Sequence, residues 1–527
     1  MIVRKQTGTH VAPRRGFVIV AVLMVVVVLS LAAYQYADLM SAEAKASERI
    51  RRSTESRGFA QSGVHVAMAY VSDPDALSGK LNNNPFDNPS AFQGAVVRES
   101  DAAGGQGRFS VVAFDLSDAT GLTSAPVRFG LADEAAKLNP NALLALDSSG
   151  RVLHDALMKL PEMTDEVAWS IVDWIDPDDE ENSGGAETQY YASLTPPYQA
   201  KNAALETIEE LLLVQGVTPA LLFGNDRNRN GKVDPEEDDG FGGYNPGWAA
   251  YLTVYSREPN TAADGSARVN LNGTDLTQLK TDLTGVLDEE TAYLILAYRL
   301  FGSGSGGGGG GKGGNTQPGT IVQLMAVVDE AIKNNTQPRQ NVSSVFALVT
   351  ARITIQIPNP NPQGQPISVV VTSPLQNDVG LQREVLPKLL DKTTTQGSSE
   401  LPAKVNVNTA PREVLLALPG LTETQVDSIL VRRPTYTNGQ APDTAYDTIA
   451  WLLTDAQVPV ATMQSLERYV TARTQVYRVQ ALGYFDQGGP VSRLEAVIDV
   501  NAGKPRIAYF RDLTDLGRSI DPRMLGQ

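Results

Sequence analysis

Residues 17–33 read FVIVAVLMVVVVLSLAA, an apolar run in which Ser30 is the one polar side chain. As an α-helix this run is about 25 Å long, the lower end of the length that crosses a membrane. Residues 1–16 carry four basic side chains and no acidic one. A basic flank of this kind stays on the cytoplasmic side. The N-terminus therefore predicts one membrane span, with nearly all of the remaining chain exported.

The helical stretch extends well beyond the apolar run. No proline occurs between Phe17 and Val71, and Asp73-Pro74 follows directly. Because proline breaks helices, its absence allows a single helix over residues 17–71, about 80 Å long. An ordinary signal peptide would be cut at a small-residue site after its apolar part, and no such site follows here. The sequence therefore predicts a retained helix, and a plain single-pass anchor is the alternative.

Composition limits the chemistry that the chain can perform. It has 527 residues, no cysteine, three histidines and a formal net charge of −16. Disulfides and thiolate metal sites are excluded, and an acidic surface repels nucleic acid and favours divalent cations. The sequence contains no G-x-S-x-G, H-E-x-x-H or G-x-x-x-x-G-K-[ST] motif. We therefore interpret the chain as a non-enzyme of two or three domains.

Strand-like segments occur near both ends of the exported region. They are FSVVAF (109–114), PVRFGLAD (126–133), TQVYRVQALGYF (474–485), SRLEAVIDV (492–500) and PRIAYFRD (505–512). Two or three strands make a poor sheet on their own. One sheet assembled from both ends, with a mostly helical insert between them, is therefore the economical prediction.

The insert contains an internal repeat. KLNPNALLAL (137–146), RVNLNGTDLTQL (268–279) and KVNVNTAPREVLLAL (404–418) share a [KR]-[LV]-N-x-N start, and each precedes a second predicted helix. A short segment entering paired small helices predicts a compact α-helical module. The third copy, with LPGLTETQVDSILVRR, is close to a helix-hairpin-helix pattern. That pattern has a DNA-binding interpretation, which the acidity of the chain and its lack of a basic run disfavour.

Two segments of the insert are predicted to be loops. Residues 302–319, GSGSGGGGGGKGGNTQPG, form a flexible linker that cannot pack a core. Residues 357–367 are rich in proline and are predicted to be extended.

The sharpest chemical motif is DRNRNGKVDPEE at 226–237, which matches the calcium-loop pattern D-x-[DN]-x-[DN]-G-x5-E at every fixed position. Hard oxygen ligands at this spacing select calcium over transition metals. The predicted ligands are the side chains of Asp226, Asn228, Asn230, Asp234 and Glu237 and the carbonyl of Lys232.

A second acidic cluster lies at 173–187 and contains no Lys or Arg. Its candidate ligands are Asp173, Asp176, Asp178 and Glu187. Asp173 and Asp176 fall at the end of a predicted helix, where the helix dipole disfavours negative charge. A bound cation would relieve this repulsion, and a solvated acidic loop is the alternative.

The N-terminus resembles the class III signal of pilins and pseudopilins, in which a basic leader ends in glycine before the apolar helix. This resemblance implies that prepilin peptidase cuts between Gly16 and Phe17 and that Phe17 becomes N-methylated. Most such subunits have glutamate at the fifth mature position, where this chain has Ala21. In lacking this glutamate, the chain resembles the tip pseudopilins of the general secretion pathway protein K family.

The exported region is similar to the same family in the order of KLNPNALLAL, IVDWIDPDD, GAETQYY and VNVNTAPREVLLALPG. The similarity covers most of residues 14–225 and 400–512, whereas 240–400 is longer than expected. It implies an α+β fold: a long N-terminal helix and a pilin-like antiparallel sheet with a large inserted helical domain of the SAM-like or helix-hairpin-helix type. It also implies calcium binding by the helical domain.

The resulting domain prediction divides the chain into successive segments. They are a prepilin leader (1–16), the transmembrane and pilin helix (17–71), the first part of the sheet region (72–133), a helical domain with the calcium loops (134–301), the flexible linker (302–319), a region of undecided structure (320–400), the third helical repeat (401–470) and the C-terminal strands (471–515).

The predicted function is that of a minor pseudopilin at the tip of the type II secretion pseudopilus. The implied partners are other minor pseudopilins, prepilin peptidase and the inner membrane, with the bulk of the chain in the periplasm and no nucleic acid bound. The alternatives are a membrane-tethered DNA-binding protein of the competence type, a minor pilin of a type IV filament, and an enzyme with a calcium-stabilised fold.

Overall fold

The computed structural model describes residues 1, 2, 8, 15–101, 105–115, 124–238, 240, 243–302, 317–501, 504–517 and 520. Most of the predicted leader and nearly all of the glycine-rich segment 302–319 lie outside the described residues.

The described part of the chain is rich in helix. Its α-helices are α1 (Arg15–Ser72), α2 (Pro74–Leu81), α3 (Pro89–Phe92), α4 (Pro140–Leu146), α5 (Arg151–Leu157), α6 (Asp165–Ile175), α7 (Thr188–Ala192), α8 (Pro219–Phe223), α9 (Leu276–Val286), α10 (Glu289–Phe301), α11 (Ile321–Lys333), α12 (Val379–Lys392), α13 (Arg412–Leu416), α14 (Glu423–Arg432), α15 (Ala450–Thr454) and α16 (Val460–Leu466). Short 3-10 helices occur at Glu134–Ala136, Ile208–Leu213, Trp248–Ala250, Val345–Leu348, Pro374–Gln376, Thr444–Tyr446 and Thr514–Leu516.

The strands are mostly short. They are β1 (Ala95–Arg98), β2 (Gly107–Phe114), β3 (Val127–Arg128), β4 (Ala132–Asp133), β5 (Glu258–Pro259), β6 (Val269–Asn270), β7 (Gln317–Pro318), β8 (Arg352–Ile357), β9 (Ile367–Thr372), β10 (Thr393–Thr394), β11 (Glu400–Leu401), β12 (Val405–Asn406), β13 (Val470–Thr471), β14 (Val476–Phe485), β15 (Ser492–Asp499) and β16 (Arg506–Asp512).

The long helix α1 confirms the predicted N-terminal helix and has two unlike halves. From Phe17 to Ile50 every side chain except that of Ala21 is exposed. An 18-residue window of this half has a mean hydropathy of 3.0, and among the described residues α1 is the one helix long and apolar enough to cross a membrane. In the other half, Ala60, Val64 and Ala67 are buried against the sheet. The helix ends where Asp73 caps α2 and Pro74 begins it.

The predicted sheet from both ends of the chain is present. Its strand order is β1-β2-β14-β15-β16, every pairing is antiparallel, and β3 and β4 pair with β2 and β14. The segment predicted as one strand at 126–133 is divided into β3 and β4. It bends at Gly130, where a Cβ atom would collide with the carbonyl of Phe86. The sequence did not predict β1.

The close approach of α1 to β14 depends on Gly483. A Cβ atom there would overlap the carbonyl oxygen of Ser56 and the amide nitrogen of Ala60 in α1. We expect Gly483→Ala to destabilise the fold by about 1–3 kcal/mol, because the helix must move away from the sheet. Thermal unfolding measures this effect. Gly79→Ala in α2 is the matched control, since no atom lies within 4 Å of the added carbon. Equal melting temperatures for the two variants would contradict this packing.

The insert consists of three similar modules, which we define by their closing strand pairs. Module 1 (137–253) closes with a parallel bridge between Leu138 and Leu252. Module 2 (268–395) closes with β6 beside β10, and module 3 (404–471) closes with β12 beside β13, both in parallel. The residues on either side of the predicted linker thus belong to one module. One hydrophobic core runs through all three modules.

The second asparagine of each N-x-N start ties its module together. Asn141 exchanges two hydrogen bonds with the backbone of Leu205. Asn272 donates to the carbonyls of Val342 and Thr395. Asn408 donates to the carbonyls of Tyr446 and Ala472. The repeated residue therefore has a repeated role, which is to tie the entry of its module to a later segment, and in modules 2 and 3 this includes the returning chain.

Module 2 contains a small sheet that the sequence left undecided within 320–400. Strands β8 and β9 form an antiparallel hairpin, and β7 pairs with β9 in parallel. The proline-rich stretch 357–367, predicted to be extended, connects β8 to β9. Alternating burial along β8 places Ile353 and Ile355 in the core.

Candidate cation sites

Three acidic side chains converge at the end of α6. Asp173 lies in the last turn of this helix, Asp176 caps its C-terminus and Glu187 precedes α7. One carboxylate oxygen from each lies within 4.8 Å of the others. Their exposed fractions are 0%, 8% and 3%. The structure thus brings together three of the four predicted residues, whereas Asp178 is exposed and accepts a hydrogen bond from the amide of Glu180.

The hydrogen bonding of this cluster is incomplete. Asp173 accepts from the amide nitrogen and from Nδ2 of Asn182. Oδ1 of Asp176 and both carboxylate oxygens of Glu187 are buried without a hydrogen-bond partner. The loop comes so close at Gly185 that a Cβ atom would overlap Oδ2 of Asp173. Buried carboxylate oxygens without donors are costly, and a cation ligated by oxygen would satisfy them.

Electrostatics points the same way. Burial, together with the charges of Asp178 and Asp173, raises the pKa of Asp176 to about 7. Burial, together with repulsion from Asp173 and Asp176, raises the pKa of Glu187 to about 7. The last turn of α6 has no basic residue. A divalent cation is the species that would let these groups ionise together.

The predicted calcium loop at 226–237 has an ordered, internally bonded geometry. Asp226 accepts from the amides of Asn230 and Gly231 at 2.9 and 2.8 Å. Glu237 accepts from the amides of Asn228 and Asp234 at 3.0 and 3.2 Å. Gly231 has a φ of +80°, as a tight turn at this position requires. The backbone therefore has the turn that the motif predicts, while its acidic groups bond to backbone amides.

The remaining candidate ligands bond to each other. Asn228 and Asn230 both donate to Oδ2 of Asp234, at 2.8 and 2.7 Å. Nζ of Lys232 lies 2.6 Å from Oδ1 of Asp234, and this bond lowers the pKa of that carboxyl. Oδ1 of Asn228 is buried without a partner. Side-chain rotations would have to release these bonds before a cation could be ligated here.

The 226–237 loop rests on the central sheet, which the sequence did not predict. Arg493 of β15 is fully buried and donates to the carbonyls of Asn228 and Arg229 at 3.0 and 2.7 Å. The amide of Ala125 donates to the carbonyl of Gly231 at 2.7 Å. The loop therefore joins module 1 to the sheet.

A buried charge cluster forms a second joint that the sequence did not predict. Arg478 of β14 pairs with Glu134 and, at 3.1 Å, with Glu495. Lys137 lies 3.3 Å from Glu134. Burial alone would raise the pKa of Glu134, but the charges of Arg478 and Lys137 outweigh burial and hold this pKa at about 2. The cluster links the sheet to the entry of module 1.

The basic residues of module 3 are engaged within the protein. Arg412 pairs with Asp427. Arg432 donates to the carbonyl of Asp455 at 2.6 Å, and Arg433 donates to that of Ala410 at 2.7 Å. A DNA-binding hairpin needs cations that are free to meet phosphates, so this arrangement disfavours the DNA-binding interpretation.

The predicted processing residues lie at the start of α1. Gly16 belongs to its first turn, and the residues before Arg15 are mostly outside the described part of the chain. Phe17 is 74% exposed. Ala21 lies one turn further along the apolar half.

Comparisons with known proteins find a family model that resembles most of module 1. A family model described as type II secretion system (T2SS), protein K matches residues 136–223. Over 55 residues the chain is 44% identical to an Escherichia coli (strain K12) protein that carries the name type II secretion system protein K. This match covers 10% of the chain and 17% of that protein, so it spans about a sixth of the relative.

A solved structure also matches the chain, at low identity. It is the crystal structure of the GspK-GspI-GspJ complex from the enterotoxigenic Escherichia coli type 2 secretion system. The match has a TM-score of 0.38 and 11% identity, and it covers 88% of this chain and 98% of that one. The matched residues 136–223 include Asp173, Asp176 and Glu187, so the acidic cluster lies within the segment that resembles type II secretion system protein K.

Proposed function

We propose that the chain is a minor pseudopilin of a type II secretion system, located at the tip of the pseudopilus and taking part in protein export across the outer membrane. The observation that supports this most is the segment 136–223 that the family model matches, inserted into a sheet on which the long helix α1 packs. The exposed apolar half of α1 is suited to a membrane before assembly and to neighbouring helices afterwards.

The size of the insert supports a terminal position. Modules 1 to 3 occupy most of the chain between β4 and β14 and form one continuous core. Subunits of this bulk would clash if they were stacked along a narrow fibre, so one copy at the end is the physical expectation. Ala21 is consistent with this position, since a subunit with no neighbour above it gains nothing from a buried acid.

We infer that the chain is made with its basic leader in the cytoplasm, α1 in the inner membrane and the modules in the periplasm. Prepilin peptidase would then cut between Gly16 and Phe17, and Phe17 would be N-methylated. Such a part in assembly needs no catalytic site, so we treat the chain as a non-enzyme.

The predicted cut can be tested by replacing the residue before it. We expect Gly16→Leu to leave the leader attached, because the bulky side chain blocks the junction, while Gly8→Leu is processed normally. Intact-mass measurement of the purified chains distinguishes the two results. If the purified Gly16→Leu chain and the parent chain have the same length by mass, the chain is not processed as a prepilin.

We also propose calcium as the bound cation. The carboxylate oxygens of Asp176 and Glu187 without partners suit a hard divalent ion with oxygen ligands, and the 226–237 loop has the calcium-binding turn. Asp173, Asp176 and Glu187 would hold one ion. Asp226, Asn228, Asn230, Asp234, Glu237 and the carbonyl of Lys232 would hold another.

Calorimetric titration with calcium tests the two sites separately. We expect Glu187→Gln to remove one binding event and Asp226→Ala to remove the other, because each change deletes a charged ligand. Glu180→Gln is the matched control, since this exposed acid lies in the same loop as Glu187 but outside the cluster. Isotherms identical to that of the parent would exclude the corresponding site.

The partners can be tested by co-purification. The solved relative is named as a complex of GspK with GspI and GspJ, and we propose that this chain likewise binds other minor pseudopilins. We expect the exported part to co-elute with them in size-exclusion chromatography. Failure to form any complex, together with salt-dependent binding of DNA, would favour a competence-type protein instead. Assembly only with pilins of a type IV filament would favour a minor pilin.

A further inference from the structure

The second helices of the three modules begin in the same way. Thr164, Asp288 and Thr422 are the N-caps of α6, α10 and α14, and each side chain accepts from the amide three residues later. Counting from these caps aligns the three helices residue by residue. The position eleven residues after the cap is Ile175 in module 1, Arg299 in module 2 and Arg433 in module 3.

Arg299 lies inside a shell of oxygen atoms. Its side chain is 1% exposed. Nη1 donates to Oδ1 of Asn272 at 3.2 Å, to the carbonyl of Gln340 at 3.1 Å and to Oδ1 of Asn341, and Nη2 donates to the carbonyl of Gly273 at 2.8 Å. One guanidinium therefore ties the end of α10 to the entry loop of module 2 and to the segment that follows α11.

Arg433 has the corresponding role in module 3. It caps the C-terminus of α14, and its Nη1 donates to the carbonyl of Ala410 at 2.7 Å. Ala410 follows the N-x-N start by two residues, and Gly273 follows its own by one. In both modules an arginine from the end of the second helix thus reaches the carbonyls just after the asparagine pair.

Module 1 has the opposite charge at this end. Ile175 takes the place of the arginine, and the residues two before it and one after it are Asp173 and Asp176. These two acids and Glu187 are buried together, and three of their oxygen atoms have no donor. The C-terminus of a helix favours a positive charge and disfavours a negative one. Modules 2 and 3 supply that positive charge from the chain, and module 1 does not.

We propose that the guanidinium groups of Arg299 and Arg433 supply positive charge at the ends of α10 and α14, as a bound calcium ion does at the end of α6 in module 1. The calcium dependence of the helical insert is then confined to module 1, although all three modules share one repeat. This inference rests on the proposed calcium site at Asp173, Asp176 and Glu187. It assigns to the two arginines a positioning role at the helix ends.

Hydrogen exchange of the full chain in detergent tests the proposal, read by mass spectrometry in calcium and in a chelator. At calcium one hundred times its dissociation constant, opening that releases the ion is suppressed about a hundredfold. We expect slowing of this order at the end of α6 and less than about twofold slowing at the ends of α10 and α14. Equal slowing in all three helices would overturn the proposal.

Variants of Arg299 make the test independent of calcium binding. We expect Arg299→Met to speed exchange at the end of α10 in saturating calcium without changing α6, and Arg299→Lys to restore part of the protection. Unchanged exchange in α10 would show that the guanidinium does not hold the helix end. Absence of a calcium response in α6, with Arg299→Met behaving as expected, would instead refute the calcium site and confine the proposal to the arginines.

Discussion

Arg478→Met is expected to lower the free energy of unfolding by about 3–5 kcal/mol, the cost of leaving buried charges without their partner. Glu134 is 0% exposed and Glu495 is 8% exposed, and both pair with Arg478. Methionine fills a similar volume but offers no donor. Glu134 belongs to the entry of module 1 and Arg478 belongs to the sheet. The substitution therefore weakens the contact between module 1 and the sheet.

Denaturant unfolding of a chain without residues 1–33 measures this loss, since almost all of the helix from Phe17 to Ile50 is exposed and outside the core. Arg511→Met is the matched control. Its guanidinium lies 3.4 Å from Glu209 at the surface, and such exposed pairs contribute less than about 1 kcal/mol. If both variants lower the free energy of unfolding by the same small amount, the buried cluster does not stabilise the contact between module 1 and the sheet.

Stability in a chelator is expected to fall as the pH rises from about 4 to above 7, and calcium is expected to oppose this fall. Burial raises the pKa of both Asp176 and Glu187 to about 7, above the ordinary values of 3.8 and 4.5. The folded chain therefore keeps protons that the unfolded chain has released. This contribution is fully present below the unfolded pKa and is lost as the pH passes the folded one.

Calcium reverses the sign because it binds the ionised groups. At pH 8 and one hundred times the dissociation constant, binding at this cluster should add about 2.7 kcal/mol to the free energy of unfolding. Thermal unfolding from pH 4 to 8, with calcium and with chelator, measures the difference. Asp133, whose pKa burial raises to about 6, adds to the fall in both conditions and cancels in the comparison.

A double variant checks the origin of the effect. Asp176→Asn with Glu187→Gln should remove the part of the calcium response that comes from this cluster and should weaken the pH dependence, whereas Glu180→Gln should keep both. The calcium response that remains in the double variant belongs to the 226–237 loop, and adding Asp226→Ala should abolish it.

Local patterns in the sequence predicted much of this structure. The helices α6, α10 and α14 could be foreseen because their leucine spacing and N-caps lie within a few residues of one another. The strands β2, β14, β15 and β16 could be foreseen from their composition and turns. The break at Gly130 could not, because it depends on the carbonyl of Phe86 far along the chain.

The candidate cation sites show the same limit. The density of acids pointed to Asp173, Asp176, Asp178 and Glu187, but the path of the loop past Gly185 decides that Glu187 joins the first two and Asp178 does not. Arg478 pairs with Glu134, and Arg493 donates hydrogen bonds to the 226–237 loop. Both contacts join residues that are hundreds of positions apart in the sequence. No periodicity or motif encodes contacts of that range.

The pairing of β2 with β14 has a consequence for how the protein folds during synthesis. β2 ends at Phe114 and its partner begins only at Val476. At about 5–20 residues per second of synthesis, β2 emerges roughly 20–70 s before the strand that completes it. We expect the modules to fold first, each closing its own short parallel pair, while the edge of β2 stays unpaired beside α1. A chaperone that covers that edge would act in this interval.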